Sequence, residues 1–557
     1  MSTPAQAIRE ARDLLLSLRG QGDRARAEFR WPEISGPFNW AVDWFDELGR
    51  GNQSTALWLR DESGSDERYS YDEMVHRSDR LAAWLEAQGV AKGDVVMVML
   101  GNQVELWDAM LAVMKLGAVI LPTTVALQHD DLADRVPRAG VSAVVTSPDC
   151  EAKFDGLDSL LCVTTGKGHG RWRPMADAAA LPAGPRPVVT DASDPVLLYF
   201  TSGTTEHPKL VVHTHLSYPV GHLSTMYFIG VRPGDVHLNI SSPGWGKHAW
   251  SSFFSPWIAG ATVFSYTYHR FDPARLLREL EDCGVTTFCA PPTVWRMMIK
   301  ADLGARPSAL REAVGAGEPL NPEVISAVQR AWGLTIRDGY GQTETTCTVG
   351  NAPDEDVRPG AMGKPMPGAR LVIIDPDTGE ESRHGEICIP VDPWPLNLTT
   401  GYLGDFRTVQ ADGRYHSGDL VSVDDDGYLT YVGRTDDVFK ASDYKVSPFE
   451  LESVLIEHPA VLEAAVVPAP DELRLAVPKA YVALADGFLP DADTALSILA
   501  HAKERLAPYL RVRRVEFAEL PKTISGKVRR VELRAREVDP AVVIEDFRYE
   551  AFPQLRG

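Results

Sequence analysis

The sequence predicts an α/β protein with a large N-terminal domain of several subdomains and a small α+β C-terminal domain. Strand and helix patterns alternate along the first part of the chain. The clearest stretch predicts a helix over 71–88, a strand over 95–100, a helix over 103–116 and a strand over 118–121. Because the strands are continuously apolar, they indicate parallel-type sheets covered by helices on both faces.

The pattern changes after Asp338, where turns such as Asp424-Asp-Asp-Gly427 separate short strands and predict a β-rich subdomain. After Arg434 the sequence predicts helices over 448–457 and 493–506 and strands over 462–468, 480–485 and 513–517. We therefore expect an N-terminal domain over 1–435 and a C-terminal domain over 436–557 that meet at a hinge.

Composition limits the function classes. The 557 residues are 44% hydrophobic and carry a formal net charge of −21, which disfavours a nonspecific nucleic-acid or anionic-membrane binder. No stretch approaches the roughly twenty apolar residues of a membrane span. The six cysteines are scattered without a Cys-x-x-Cys pair, which predicts reduced thiols and a cytoplasmic location.

A candidate phosphate-binding loop occupies 199–209, with the sequence Tyr-Phe-Thr-Ser-Gly-Thr-Thr-Glu-His-Pro-Lys. It follows an apolar run over 196–200 that predicts a buried strand. Its hydroxyls, its backbone N–H groups and its lysine are hydrogen-bond donors, and phosphate oxygens only accept. It does not match the Walker sequence. A hairpin turn rich in serine and threonine is the alternative.

Further polar segments follow in order. They are 338–345 (Asp-Gly-Tyr-Gly-Gln-Thr-Glu-Thr), which follows a strand predicted over 334–337, then 415–420 (Tyr-His-Ser-Gly-Asp-Leu), 433–437 (Gly-Arg-Thr-Asp-Asp) and 520–530 (Leu-Pro-Lys-Thr-Ile-Ser-Gly-Lys-Val-Arg-Arg). Each alone is typical of a solvated turn. Their occurrence together indicates one composite site.

These segments, with Trp31-Pro32 and Phe38-Asn-Trp-Ala41, resemble the adenylate-forming superfamily of acyl-CoA synthetases, luciferases and peptide-synthetase adenylation domains. The likeness is greatest to medium-chain acyl-CoA synthetases and covers nearly the whole chain. It implies two parallel-type sheets, a β-rich subdomain and a mobile C-terminal domain. It also implies two half-reactions: a carboxylate attacks the α-phosphate of ATP, which releases pyrophosphate, and a thiol, usually that of CoA, then displaces AMP.

The resemblance implies roles for the residues that match the family motifs. The catalytic residues would be Thr343, Glu344 and Lys527, with Glu344 as the Mg²⁺ ligand. The residues at ATP would be Thr201, Ser202, Gly203, Thr204, Thr205 and Lys209 at the β- and γ-phosphates, Gly317, Glu318 and Pro319 beside the adenine, Asp338, Gly339, Tyr340 and Gln342 along the adenine and α-phosphate, and Asp419 and Arg434 at the ribose. Asp436 would be the hinge.

Elementary chemistry supports a metal and a lysine at the α-phosphate. Nucleophile and leaving group are both anionic oxygens, so charge repulsion and alignment oppose the first step. A cation that must leave before CoA enters is best carried on a mobile domain.

The loop over 439–448 (Phe-Lys-Ala-Ser-Asp-Tyr-Lys-Val-Ser-Pro) matches the family's CoA tunnel, which assigns Ser442, Asp443, Tyr444, Lys445 and Arg474 to CoA. Relatives commonly carry glycine at Asp443 and arginine at Lys445. Aspartate tolerates the left-handed conformation that glycine permits, but it adds bulk and negative charge. Either transfer to CoA is unchanged, which Arg474 favours, or the adenylate passes to an amine or another acceptor.

The acid pocket is expected around Gly341, Trp245, Lys247, His248 and Thr293. Acetate-specific relatives place tryptophan at the position of Gly341, so glycine predicts a pocket open beyond the length of acetate. Either Lys247 and His248 orient a polar or aromatic acid or a second carboxylate, since a partly buried lysine needs an anionic partner, or Lys247 faces solvent and His248 packs inside.

The leading interpretation is an ATP-dependent acid–CoA ligase for a medium-chain or aromatic acid, with ATP, Mg²⁺ and CoA, no nucleic-acid partner and no membrane span. One alternative keeps the adenylation but uses an amine acceptor or activates a small inorganic acid such as nitrite. Another is an inactive nucleotide-binding sensor, which the presence of Glu344, Asp419, Arg434 and Lys527 disfavours.

Overall fold

The computed structural model describes residues 3–201, 208–404, 409–441, 444–471, 475–523, 527–539, 541–542 and 545–555. The strands of these parts of the chain are β1 (Thr55–Asp61), β2 (Asp66–Ser70), β3 (Val95–Met99), β4 (Val119–Pro122), β5 (Val141–Thr146), β6 (Leu161–Thr164), β7 (Trp172–Pro174), β8 (Pro195–Phe200), β9 (Leu210–Thr214), β10 (Val236–Asn239), β11 (Thr262–Thr267), β12 (Thr287–Ala290), β13 (Glu312–Ala316), β14 (Arg337–Tyr340), β15 (Val349–Gly350), β16 (Lys364–Pro365), β17 (Val372–Ile374), β18 (His384–Pro390), β19 (Gly401–Tyr402), β20 (Arg414–Val423), β21 (Leu429–Arg434), β22 (Phe439–Ala441), β23 (Tyr444–Val446), β24 (Val461–Asp471), β25 (Leu475–Leu484), β26 (Arg514–Phe517) and β27 (Phe547–Arg548).

The α-helices are α1 (Pro4–Ser17), α2 (Gly22–Glu28), α3 (Glu47–Gly49), α4 (Tyr71–Ala87), α5 (Val104–Lys115), α6 (His129–Ala139), α7 (His222–Ile229), α8 (Gly246–Ala249), α9 (Ser255–Ala259), α10 (Pro273–Asp282), α11 (Pro292–Lys300), α12 (Pro322–Trp332), α13 (Pro448–Ile456), α14 (Ala492–Arg505) and α15 (Arg530–Val538). Short π-helical segments lie at Trp40–Asp46, Leu216–Val220 and Trp250–Phe254, and short 3₁₀ segments at Pro148–Phe154, Met175–Ala180, Pro508–Leu510, Tyr549–Ala551 and Pro553–Leu555.

Two large sheets with mainly parallel strands build the N-terminal domain, which confirms the predicted fold class. The first has the order β16-β15-β14-β13-β12-β10-β11-β1-β2, and its strands from β14 to β1 run parallel. The second has the order β19-β9-β8-β4-β3-β5-β6-β7 and is parallel from β8 to β7. β4 is buried along its whole length, as its continuous apolar sequence predicts, and β12 and β13 are equally buried although each begins with a polar residue.

One predicted strand is displaced. The sequence predicts a strand over 334–337, but β14 spans Arg337–Tyr340. The reason is that α12 ends at Gly333, which adopts a left-handed conformation with φ of 63°, so the next residues form the connection. Asp338 and Gly339 pair with Gly315 and Ala316 of β13. The polar segment that begins at Asp338 therefore starts inside the sheet rather than after it.

The β-rich subdomain is an antiparallel sheet of order β17-β18-β20-β21, as predicted. The smaller C-terminal domain contains the β22–β23 ribbon and a sheet of order β24-β25-β26-β27. Its helices α13 and α14 match the predicted segments, whereas β24 and β25 form a longer hairpin than predicted. In the described parts of the chain, no helix has the length and apolar character of a membrane span.

Candidate active site

The carboxyl ends of β10, β12, β13 and β14 bring several predicted segments to one edge of the first sheet. These strands are parallel neighbours, so their carboxyl ends lie side by side. Trp245 and Lys247 follow β10, Thr293 follows β12, Gly317 to Pro319 follow β13, and Gly341 follows β14. Ligands of α/β proteins bind at such an edge.

The segments at β13 and β14 are held together by Asp338. Its carboxylate accepts hydrogen bonds from the backbone N–H groups of Leu320, at 3.2 Å, and Gly339, at 2.9 Å. Burial raises the pKa of Asp338 to about 7, although these hydrogen bonds act in the opposite direction. Gly339 has no room for a side chain, because a Cβ there would collide with the ring of Phe228.

A hydrogen-bonded group that we call the Asp419 network consists of Tyr340, Gln342, Tyr415, Asp419 and Arg434. Asp419 lies opposite Arg434 where β20 pairs with β21. Its carboxylate accepts from the Tyr340 hydroxyl at 2.7 Å, from Gln342 Nε2 at 2.5 Å and from Arg434 Nη1 at 3.4 Å. The Tyr415 hydroxyl donates to Gln342 Oε1 at 2.6 Å. Three elements of the N-terminal domain thus converge on one buried carboxylate.

Charges within the Asp419 network stabilise one another. Burial raises the pKa of Asp419, and the guanidinium of Arg434 opposes that rise. Burial acts to lower the pKa of Arg434, but the negative charges of Asp419 and Asp436 act in the opposite direction and the pKa is raised overall, so Arg434 remains charged. The charge of Lys527 also acts to lower the pKa of Asp419.

Glu344 lies in a second polar cluster with Tyr402 and Lys209. The Tyr402 hydroxyl donates to Glu344 Oε1 at 3.0 Å, and Lys209 Nζ lies 4.7 Å from the centre of the Tyr402 ring. Burial raises the pKa of Glu344, and the Tyr402 hydrogen bond and the Lys209 charge act against that rise. A partly desolvated carboxylate of this kind fits a Mg²⁺ ion, which prefers oxygen ligands.

Thr343 precedes Glu344 in the chain, and Thr201 follows β8. Buried His213, whose pKa burial lowers to about 4, is neutral, and its Nε2 donates to the Thr343 carbonyl at 2.7 Å. The Thr201 N–H donates to the Lys209 carbonyl at 2.8 Å and closes the connection between β8 and β9. Ser202, Gly203, Thr204 and Thr205 lie outside the described residues.

The residues predicted for CoA are described only in part. Lys445 Nζ forms an ion pair of 2.6 Å with Asp377 in the turn between β17 and β18. Tyr444 belongs to β23, and Ser442, Asp443 and Arg474 lie outside the part of the chain that the structure describes.

The predicted hinge residue Asp436 is exposed and accepts a hydrogen bond from Arg434 Nε at 3.3 Å. The Lys527 N–H donates to Thr523 Oγ1 at 3.1 Å.

We give the name acyl wall to Trp245, Lys247 and Gly341, at which the acid pocket is expected, together with Trp250, which lies against Gly341. Lys247 is only partly buried as a residue, but its Nζ is buried and has no hydrogen-bond partner among the described residues. Burial lowers the pKa of Lys247, while Cys289, Glu318 and Asp338 oppose that change. The alternative in which Lys247 faces solvent is therefore wrong.

His248 packs inside the protein, as the same alternative predicts. It is buried, its ring lies 5.8 Å from that of Trp107, and its Nε2 lies 3.2 Å from Asn102 Oδ1. Burial lowers the pKa of His248 to about 3, so the ring is neutral. His248 therefore brings no charge to the acyl wall.

Gly341 packs closely against its neighbours, because a Cβ at this position would collide with the Trp250 ring and the Thr346 carbonyl. Trp250 therefore fills the space that a larger side chain at 341 would occupy. The pocket open beyond the length of acetate stays a prediction. Thr293 is partly buried in the first turn of α11, and nearby Trp295 belongs to the core.

The sequence analysis missed several residues of these clusters, namely His213, Trp250, Tyr402 and Tyr415. Tyr415 begins the polar segment over 415–420, and Trp250 lies two residues after His248, so aromatic residues in or beside those segments were the available signal. His213 and Tyr402 carry no such signal, because only the pairing of β9 with β19 brings their strands together.

Comparisons with known proteins match this architecture. The family model described as AMP-binding enzyme matches residues 47–403, and the AMP-binding enzyme C-terminal domain matches residues 450–527. The chain is 44% identical to 4-hydroxybutyrate–CoA ligase 1 of Metallosphaera sedula over 516 residues, covering 90% of this chain and 91% of that protein. It is 36% identical to mouse mitochondrial acyl-coenzyme A synthetase ACSM3, covering 91% of each.

Solved structures agree. An acyl-CoA synthetase from Brucella canis superposes with a TM-score of 0.70 and 30% identity, covering 93% of this chain and 98% of that one. The anthranilate CoA ligase AuaEII in complex with anthranoyl-AMP superposes with a TM-score of 0.79 and 26% identity, covering 90% of this chain and 97% of that one. Fold and similarity define the class as an AMP-forming acid–CoA ligase, whose cosubstrates are ATP, with Mg²⁺, and CoA. The chain belongs to the AMP-binding enzyme family.

Proposed function

We propose that this ligase activates a carboxylic acid larger than acetate as its acyl-adenylate and then transfers the acyl group to CoA, at the edge of the first sheet. The observation that carries this proposal is the juxtaposition of the Asp419 network, the Glu344 cluster and the acyl wall around β14. Nucleotide, metal and acid would then bind at adjoining places along the segment from Asp338 to Glu344.

In this proposal the Asp419 network binds the ribose. Asp419 and Arg434 offer a carboxylate and a guanidinium to the ribose hydroxyls, and Tyr340 and Gln342 fix the carboxylate. Gly317, Glu318 and Pro319 would border the adenine with Asp338 and Gly339. Gly317 suits such a contact, because it has a φ of 106° and open space where a Cβ would stand.

The Glu344 cluster would hold the triphosphate and its metal. Thr201 to Thr205 and Lys209 would bind the β- and γ-phosphates, with Thr343 at the α-phosphate. Mg²⁺ held by Glu344 would neutralise phosphate charge while pyrophosphate leaves. Lys527 would add a positive charge at the reacting carboxylate and α-phosphate, which its effect on Asp419 supports.

The second half-reaction would use the C-terminal domain over 436–557, turning about Asp436 relative to the N-terminal domain over 1–435. Ser442, Asp443, Tyr444, Lys445 and Arg474 would then contact CoA. The names of the relatives support CoA over an amine as the acceptor and a carboxylic acid over nitrite as the activated species. The six buried, free cysteines support the cytoplasm as the compartment.

Lys527→Ala tests the catalytic assignment. With ATP, Mg²⁺ and a panel of acids, pyrophosphate and AMP are measured with and without CoA. We expect the variant to lose about 100- to 1,000-fold in pyrophosphate release, the size of effect that one transition-state charge partner has, with an unchanged Kd for ATP. Lys522→Ala serves as the control, because Lys522 precedes the same loop but pairs with Glu463.

Two outcomes would contradict the proposal. Adenylation that survives Lys527→Ala within a few-fold would remove Lys527 from the reaction. Formation of AMP by the unchanged enzyme that does not depend on CoA, but on an added amine, would favour the alternative acceptor that Asp443 suggests.

A further inference from the structure

Lys247 holds its charge in an unusual place. A lysine at a protein surface normally buries its carbon stem and leaves the ammonium in water. In Lys247 the residue as a whole is partly exposed, while Nζ is buried without a hydrogen-bond partner in the described ranges. The side chain therefore points inward, towards the edge where β10, β12, β13 and β14 end.

Its surroundings identify the place that Nζ reaches. Cys289, Glu318 and Asp338 all act electrostatically on the ammonium, and they lie at the carboxyl ends of β12, β13 and β14. Asn239 pairs with Cys289 across the β10–β12 ladder, and its Nδ2 lies 3.5 Å from the Lys247 carbonyl. Lys247 and Asn239 are thus neighbouring residues at the carboxyl end of β10.

Within the described part of the chain, Asn239 has a buried hydrogen-bond acceptor without a partner, whereas Lys247 has a buried donor without one. Its Nδ2 donates to Ser252 Oγ at 3.0 Å, whereas its Oδ1 is buried and accepts no hydrogen bond from the described residues. Two neighbouring residues therefore hold one buried unpaired donor, Lys247 Nζ, and one buried unpaired acceptor, Asn239 Oδ1, among the described residues. Buried polar groups without partners are costly, so this pair indicates a ligand that supplies both partners.

A hydroxyl meets that requirement better than other groups. It accepts one hydrogen bond and donates another, whereas a carboxylate only accepts and a methyl group does neither. Glu318 and Asp338 already supply negative charge near the ammonium, so a second carboxylate would meet repulsion.

We propose that Lys247 and Asn239 bind a hydroxyl at the far end of the acid, so that Lys247 makes the enzyme selective for short hydroxy acids. The proposal rests on the proposed function and deepens it, because it assigns the substrate class to the acyl wall. Lys247 Nζ donates to the hydroxyl oxygen, and the hydroxyl donates to Asn239 Oδ1.

The test compares acids of one shape. 4-Hydroxybutanoate, pentanoate and glutarate carry a hydroxyl, a methyl group and a carboxylate at corresponding positions. For each acid, kcat/KM is measured from pyrophosphate release with the unchanged enzyme and with Lys247→Met. We expect the unchanged enzyme to prefer 4-hydroxybutanoate to pentanoate by about tenfold to a hundredfold, the worth of a hydrogen bond to a charged group. Lys247→Met should abolish or reverse this preference with an unchanged KM for ATP.

Two further variants keep the test decisive. Lys167→Met changes an exposed lysine between β6 and β7 and should preserve the preference. Lys247→Gln retains a hydrogen-bond donor of similar shape and should keep part of the preference for 4-hydroxybutanoate. It replaces Lys247→Met in the test if that variant folds poorly.

An unchanged ratio of 4-hydroxybutanoate to pentanoate in both Lys247 variants would overturn the proposal. A dependence on Lys247 that is confined to glutarate would also overturn it, because the bound group would then be a carboxylate. Failure of the unchanged enzyme to ligate any of these acids or the wider acid panel to CoA would instead contradict the proposed function.

Discussion

The Asp419 network and the acyl wall meet where Gly341 of the wall stands between Tyr340 and Gln342 of the network, and they differ in how their polar groups are paired. In the network, Asp419 accepts hydrogen bonds from Tyr340, Gln342 and Arg434. At the acyl wall, Lys247 Nζ and Asn239 Oδ1 are buried without partners in the described parts of the chain.

This difference separates two kinds of binding site. A network that satisfies itself is rigid before its ligand arrives, which suits a ligand that is the same in every reaction, such as the ribose of ATP. A wall with unpaired groups is costly until a matching ligand binds, so it penalises acids that lack the complementary group. The first gives preorganisation and the second gives selectivity.

A comparison of two buried lysines should give the largest effect. Lys115 Nζ lies 2.7 Å from both Asp46 and Asp79, whereas Lys247 Nζ has no partner in the described residues. Lys115→Met should lower the free energy of unfolding by about 3–5 kcal/mol, because it removes the buried cation from two buried carboxylates and leaves them, among the described cations, with Arg50 alone. Lys247→Met should raise it by about 1–3 kcal/mol, because it removes an unsatisfied polar group. Urea denaturation of the ligand-free enzyme measures both.

The opposite signs of the two expected changes in unfolding free energy are the informative result. If Lys247→Met destabilises the ligand-free enzyme as Lys115→Met does, Lys247 has a structural partner, and the contrast between the network and the wall fails. Lys167→Met, at an exposed position, provides the baseline.

Asp419→Asn should have the next largest effect. The variant keeps the shape of the carboxylate but removes the charge that Arg434 and the Gln342 amide bind. We expect the Kd for ATP to rise about 30- to 100-fold, equivalent to about 2–3 kcal/mol, since hydrogen bonds to a charged group are lost. Isothermal titration with ATP measures this change.

Asp425→Asn is the matched control for Asp419→Asn. Asp425 lies in the turn that joins β20 and β21, is exposed and pairs with Arg383. Its substitution should leave ATP binding unchanged. An Asp419→Asn enzyme that binds ATP as the unchanged enzyme does would place the ribose elsewhere.

Much of the fold could be predicted from the sequence, because local patterns determine it. The apolar strands and amphipathic helices of the N-terminal domain have the predicted order, and α13 lies within one residue of its predicted bounds. The strand predicted over 334–337 failed because left-handed Gly333 and the ladder to β13 decide where β14 begins. Tertiary pairing outweighs a local apolar signal there.

The site was predictable only where motifs carry it. Asp419 and Arg434 were named from sequence, but their pairing depends on the register of β20 and β21. The sequence offered two orientations for Lys247 and no means to choose between them, because the groups that act on its ammonium, Cys289, Glu318 and Asp338, lie far away in the chain. The fit of Trp250 against Gly341 joins residues 91 positions apart, which no local pattern reports.

Tyr402→Phe should have the smallest effect and tests whether the Glu344 cluster behaves like the Asp419 network. The substitution removes the hydroxyl that donates to Glu344 at 3.0 Å but keeps the ring beneath Lys209. A hydrogen bond to a charged group contributes about 1.5 kcal/mol, so we expect the Mg²⁺ concentration for half-maximal pyrophosphate release to rise about tenfold. The kcat at saturating Mg²⁺ should change little, because Tyr402 positions the carboxylate without touching the reacting atoms.

Tyr428→Phe is the control. Tyr428 also has a lysine over its ring, at 4.7 Å, and its hydroxyl donates to the Asp356 carbonyl, but it lies outside both clusters. A Tyr402→Phe enzyme with unchanged Mg²⁺ dependence would show that Glu344 is held by other groups, and preorganisation would then be a property of the Asp419 network alone.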